Sequence, residues 1–244
     1  MSTNPMHQFE VYRMGPEISL GSANLSFTNA SFFMTISAAT ILFFLYLGTK
    51  KKSLIPTKMQ LMTEMSYTFV AKMINDTAGS NAKPFFPFIF TLFMFVLFCN
   101  MVGMLPYSFT VTSHIIVTFI LAAIVFVGVT FIGFIKHGFR YLELFVPKGV
   151  PAVLLPLIVI IEVISYLSRP VSLAVRLFAN MMAGHTMLKV FGGFVLSLGL
   201  LGGWLPLSFS VALTGLEILI AFLQAYVFAI LTCIYLNDAL NLHH

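Results

Sequence analysis

Two stretches of this chain run too long without a charge to be covered by water. No Asp, Glu, Lys or Arg lies between Glu17 and Lys50, and none between Lys83 and Lys136. A helix crosses the hydrocarbon layer of a bilayer with about 20 apolar residues. The first stretch therefore accommodates one crossing. The second accommodates two, separated by the polar, proline-containing residues 106–114. Only 9% of the 244 residues are charged, against about 25% in soluble domains, so a water-facing surface cannot be clothed. The expectation is an all-α polytopic membrane protein, one membrane domain over residues 1–244 with five crossings.

Charge placement orients it. The first crossing, about residues 28–48, ends at Lys50, Lys51 and Lys52, which the positive-inside rule keeps on the cytoplasm-like side. That side is the matrix in a mitochondrion, and the N-terminus then lies opposite. Residues 54–78 mix polar and apolar groups, with Pro56 near the start and Gly79 after the end, and read as an amphipathic helix lying on the same face. A hairpin over about residues 85–135 crosses outward and returns, and Lys136, His137 and Arg140 land beside the first lysine cluster. A last hairpin, about residues 150–238, turns at Gly202, Gly203, Trp204, Leu205 and Pro206.

Only this last hairpin carries ionisable groups inside apolar sequence: Glu162, Arg169, Arg176, His185 and Lys189 on one arm, Glu217 and Asp238 with Gln224 on the other. A central Arg or Asp costs about 2.5–3.5 kcal/mol on insertion scales, and such groups usually mark an ion path. Arg169, Lys189 and Asp238 also read as snorkelling or ion-paired groups. In a hairpin, residues equally far from the turn share a depth. Glu162 with Asp238, Arg176 with Gln224, and His185 with Glu217 each reflect about positions 200–201, which makes a ladder of polar groups across two helices. At about 100° per residue, Glu162, Arg169 and Arg176 fall on one slowly drifting stripe. His185 points about 180° away from Arg176 and lies roughly 13 Å further along. Acids towards one side, an Arg in the middle and a His/Glu pair towards the other suit two offset aqueous half-paths separated by a fixed cation.

SLAVRLFANMMAGH at 172–185 and LTGLEILIAFLQAYVFAILTCIYLNDA at 213–239 resemble the signature segments of the ATP synthase subunit a family. FCNMVGMLPYSFTVTSH at 98–114 resembles its mitochondrial and alphaproteobacterial branch. The likeness spans most of the chain and is weakest at the N-terminus. It implies that Arg176 is the stator arginine facing a carboxylate of a c-subunit ring, with Asn180 and Gln224 as polar neighbours. It further implies that His185 and Glu217 line an outer half-channel, and Glu162 and Asp238 a matrix half-channel. Many bacterial members hold an acid at the His185 position and a His at the Glu217 position, so the exchange keeps one acid and one base there. The implied partners are the c-ring, peripheral-stalk and other Fo subunits and membrane lipid, with no nucleic acid and no small-molecule substrate other than protons. The implied location is a mitochondrial inner membrane or, alternatively, the inner membrane of an alphaproteobacterium. The implied chain is no enzyme by itself and needs no cofactor or metal.

The remaining signals are bland. The +5 net charge sits in inter-span segments and is no nucleic-acid footprint. Cys99 and Cys233 lie in apolar runs and read as small core residues. His7, His114, His137, His243 and His244 read as loop, terminal or interface groups. The first thirty residues, with Glu10, Arg13 and Glu17, fit neither a cleavable signal nor a basic presequence, so the mature chain is expected to begin near Met1. A transporter with inverted repeats would show internal symmetry, which this sequence lacks. A mere scaffold has no reason to keep Arg176 and Glu217 in apolar helices.

Overall fold

In a computed structural model, residues 9–15, 19–20, 23–24, 26–50, 55–105, 108–146 and 154–241 are described. Among them the architecture is helical, apart from a two-residue antiparallel pair of strands, β1 (Ser19–Leu20) and β2 (Ala23–Asn24). Lys51 and Lys52, the terminal histidines His7, His243 and His244, and residues 150–153 lie outside the described residues.

Six α-helices follow one another. The first, α1 (Asn29–Lys50), begins where the Thr28 hydroxyl accepts the backbone N–H of Ser31 at 3.4 Å, an N-cap. Thr57 does the same for α2 (Lys58–Ala78), accepting from the Gln60 N–H, so this helix starts a few residues later than the sequence suggests. Its end is Gly79 at φ 70°, a backbone setting that glycine tolerates best. A 3₁₀ turn over Ser80–Phe85 leads into α3 (Phe86–Gly103). A second 3₁₀ turn, Val111–Ser113, precedes α4 (Ile115–His137), which Gly138 stops at φ 57°. The segment Gly138–Phe145 is again 3₁₀.

The last two helices, α5 (Leu155–Gly202) and α6 (Trp204–Leu240), are the longest. The sequence places the turn at residues 202–206, but the backbone leaves helical geometry at Gly199, with φ 59° and ψ −158°. Pro206 falls in the first turn of α6, where a missing N–H costs nothing. The glycine at 199 breaks the helix because a left-handed φ is open to it, while the prolines 170 and 206 are carried inside helices.

Among the described residues, five helical stretches are long and apolar enough to cross a membrane: Asn29–Lys50, Ser80–Gly103, Ile115–Leu142, Leu155–Gly199 and Trp204–Leu240. Their outer faces present large apolar side chains such as Leu42, Ile135, Leu196 and Val211. This is the surface of an all-α polytopic membrane protein, since lipid and not water can cover it. Helix α2 is not among these five, although it too exposes Met62, Met65 and Tyr67. It buries Thr63, Val70, Met73 and Ile74 against its neighbours and exposes Glu64 and Lys72. Phe69 on α2 reaches Phe93, Phe222 and Tyr226, with ring centroids 5.7–5.9 Å apart, so the helix is packed against α3 and α6.

The packing centres on α6. Ala221, Ala225, Ala229 and Cys233 recur every four residues and are fully buried. Small side chains at that spacing let another backbone approach closely, and close packing is what holds helices together when lipid is as apolar as leucine. Phe93 and Val96 on α3, Leu173 and Leu177 on α5, and Phe228 and Leu236 on α6 complete the core. This core fixes α5 against α6, and with it the depth at which each polar side chain sits.

Candidate proton-path site

Among the described residues, contacts at three levels of polar side chains tie α5 to α6 in antiparallel order. Asn180 Nδ2 donates to Gln224 Oε1 at 2.8 Å. Towards the N-terminal end of α5, Arg169 Nη1 donates to Asp238 Oδ2 at 3.1 Å, an ion pair. Towards the opposite end, Glu217 presses its carboxylate on Gly184, so closely that a Cβ there would overlap it. Going along α5, Arg169, Arg176, Asn180 and Gly184 are spaced by 7, 4 and 4 residues, or about 10, 6 and 6 Å of helix.

Arg176 stands between these contacts and is exposed on the surface of α5. Among the described residues it has no hydrogen-bond or ion-pair partner, in contrast to Arg169. The residues one turn to either side are small, Ser172 and Ala179 with Asn180, and they too are exposed. The guanidinium is therefore free to meet a group brought to this face from outside the chain.

On the Gly184 side, the polar groups interlock. Thr110 Oγ1 donates to the Gly103 carbonyl at 3.2 Å and lies 3.1 Å from His185 Nε2. With its single proton given to Gly103, the hydroxyl accepts, so Nε2 of His185 carries the hydrogen. Next to it, Asn100 is fully buried, accepts from Thr112 Oγ1 at 2.8 Å and donates to the Ala221 carbonyl at 3.4 Å. Both carboxylate oxygens of Glu217 and Nε2 of Gln224 are buried without a hydrogen-bond partner among the described residues. Buried polar atoms in that condition are uncommon.

At the other end the pairing differs from the symmetric ladder. Asp238 is bonded to Arg169, not set against Glu162, which is half-buried and makes no hydrogen bond or ion pair among the described residues. Gln224 is bonded to Asn180, one turn along α5 from Arg176. The contacts slide because the two helices are not matched residue for residue. From Arg169 to Gly184 α5 advances 15 positions, while α6 covers 21 between Glu217 and Asp238, and the long Arg169 side chain bridges the offset. Thr110, Asn100, Gly184 and Tyr166 had not been singled out from the sequence. A signal for Tyr166 was present: it lies four residues after Glu162 and three before Arg169, on their stripe.

The sequence profile of the family described as ATP synthase A chain matches residues 31–237. The chain is 79% identical over 244 residues to an ATP synthase subunit a of Pelagibacter ubique (strain HTCC1062), covering all of both chains. It is 60% identical over 250 residues to the ATP synthase subunit a of Chelativorans sp. (strain BNC1), again covering all of both. With the ATP synthase subunit a of Rhizobium leguminosarum bv. trifolii (strain WSM2304) the identity is 57% over 247 residues, 99% of this chain and 98% of the other. Most of the chain falls within the family profile, and the chain belongs to the ATP synthase subunit a family.

Proposed function

We propose that this chain is the fixed proton-conducting subunit of an ATP synthase Fo sector, giving protons two offset half-paths to and from a ring of c-subunits. The observation that carries the reading is Arg176, exposed and without a partner among the described residues, between two polar groups at different depths. Thr110, His185 and Glu217 form the group of one half-path, and Glu162 with the Arg169–Asp238 pair forms the group of the other.

The mechanism follows from electrostatics. A c-ring carboxyl facing lipid is kept neutral by desolvation. Beside Arg176 the positive charge favours its ionised form, and the proton leaves into one half-path. Arginine is not deprotonated in proteins, so Arg176 cannot relay the proton and blocks a direct leak between the half-paths. The ring then carries the carboxylate to the other half-path, where a proton is taken up. A membrane potential contributes about 2.3 kcal/mol per charge per 100 mV, which gives the cycle its direction. The Gly184 side is the outer one in this reading, and the Asp238 side is the inner one, where Lys136 and His137 also lie, both donating to the Leu240 carbonyl. The relatives named above are bacterial, so the placement we propose is a bacterial inner membrane in place of the mitochondrial one. Arg176→Ala in the assembled complex is the test. ATP synthesis and ATP-driven proton pumping should vanish while subunit composition is unchanged, and normal coupled synthesis would overturn the reading.

A further inference from the structure

A chain of hydroxyls lies beside the Arg169–Asp238 pair. Thr130 Oγ1 donates to the Phe126 carbonyl at 2.7 Å and is 2.6 Å from the Tyr166 hydroxyl, which is 3.0 Å from the Tyr141 hydroxyl. Each hydroxyl has one proton. With that of Thr130 spent on Phe126, the order runs from Tyr141 to Tyr166 to Thr130, and every proton is placed. Tyr166 is clasped further by Phe126 and Phe145, at centroid distances of 4.8 and 5.4 Å. Its ring is thus fixed by α4 and the following 3₁₀ segment, not by α5 alone.

The Arg169 guanidinium sits 5.3 Å from the Tyr166 ring and 5.0 Å from the Tyr235 ring, both within the reach of a cation–π contact. The space left beside it is a cavity of about 10 Å³ lined by Phe126, Val129, Tyr166, Arg169 and Tyr235. That is about the space of one water molecule, so guanidinium and rings are closely packed, while 26% of the Arg169 side chain stays exposed. Both rings lie beside it, and its Nη1 meets Asp238.

We propose that Tyr166 is a positioning residue for proton transfer. Its anchored ring aims Arg169 at Asp238, and so fixes the carboxylate at the inner end of the path. Tyr166 touches no reacting group and works through Arg169. The inference rests on the two-path reading above in taking Asp238 as a group of the inner half-path.

The test uses the complete ATP synthase in inverted membrane vesicles, with passive proton conduction measured after the catalytic head is stripped. Tyr166→Leu, which removes ring and hydroxyl, should slow conduction about tenfold, while Tyr166→Phe, which keeps the ring over Arg169, should restore it to within about threefold of normal. In an Arg169→Gln background, Tyr166→Leu should add less than about twofold, because residues acting as a unit are non-additive. Arg169→Lys replaces that background if Arg169→Gln conducts no faster than empty vesicles. If Tyr166→Leu prevents assembly, Tyr166→Met, which fills much of the space without a ring over Arg169, takes its place with the same expected loss. Normal conduction in the ring variant, or losses that multiply in the double variant, overturns the proposal. Asp238→Asn separates the two layers: normal conduction there sinks the inner-path reading itself. A slow Asp238→Asn beside a normal Tyr166→Leu sinks only the role of Tyr166.

Discussion

Glu217 occupies the notch that Gly184 leaves in α5, with its carboxylate in contact with the glycine backbone. Any Cβ at 184 would meet the Glu217 side chain, whose Cδ would lie 3.0 Å away. The glycine is thus required for close approach and not for a special φ. Gly184→Ala should push the carboxylate out of its place against α5 and slow proton conduction about tenfold, equivalent to about 1.4 kcal/mol. Combining Gly184→Ala with Glu217→Asp, which withdraws the carboxylate by one methylene, should recover part of the loss. Conduction at the parental rate in the single variant would mean that Glu217 moves freely without consequence.

The Thr110 hydroxyl ties His185 to the end of α3, through Gly103. Thr110→Val keeps the shape and removes the hydroxyl, leaving the imidazole N–H and the Gly103 carbonyl without that link. We expect conduction to fall several-fold, with the complex assembled. His185→Ala and Glu217→Ala alone should each slow transport, and exchanging His185 and Glu217 should partly restore it, because one acid and one base remain. Two single variants that conduct normally would reduce this cluster to a structural one.

The first three apolar helices were legible because charge is so scarce: the long uncharged runs between Glu17 and Lys50 and between Lys83 and Lys136 lie over α1, α3 and α4. The turn was less so. Gly199, Gly202 and Gly203 are equivalent in sequence, and only the fold decides which one takes the positive φ. Reflection about the turn set Glu217 against His185, and the structure sets it against Gly184, one residue away. It lost accuracy with distance, because a small mismatch between two helices accumulates, and at Asp238 it put Glu162 where Arg169 sits. Gly184 and Thr110 stayed hidden for another reason. A glycine that admits a carboxylate, and a loop threonine that meets a distant histidine, have no local periodicity to betray them.

Gln224 offers a separation of stability from function. It is buried, its Oε1 accepts from Asn180, and its Nε2 has no partner among the described residues. A buried unpaired donor is costly, so removing it offsets the loss of the bond from Asn180, whose own side chain is exposed. Gln224→Met should leave the thermal midpoint of the complex unchanged or raised, within about 1 kcal/mol, yet slow proton conduction. A marked fall in the midpoint would show that the Asn180–Gln224 bond holds the hairpin together.

His114 lies just before α4, stacked on Phe109 with centroids 4.9 Å apart, and its Nε2 is buried without a partner among the described residues. Burial holds this imidazole below the usual histidine value. The unfolded segment therefore binds a proton at a higher pH than the folded one, and stability rises with pH in that window. It is fully present above the ordinary value of about 6.5 and declines as pH falls through it. Hydrogen exchange of residues 108–118 in the purified complex should show weaker protection at about pH 5.5 than at about pH 8, after correction for intrinsic rates. His114→Phe retains the stack on Phe109 and removes the titrating group, so its protection should be the same at both. Equal protection in the parent chain at the two pH values would show that His114 is charged in place without loss, against the cost that its burial implies.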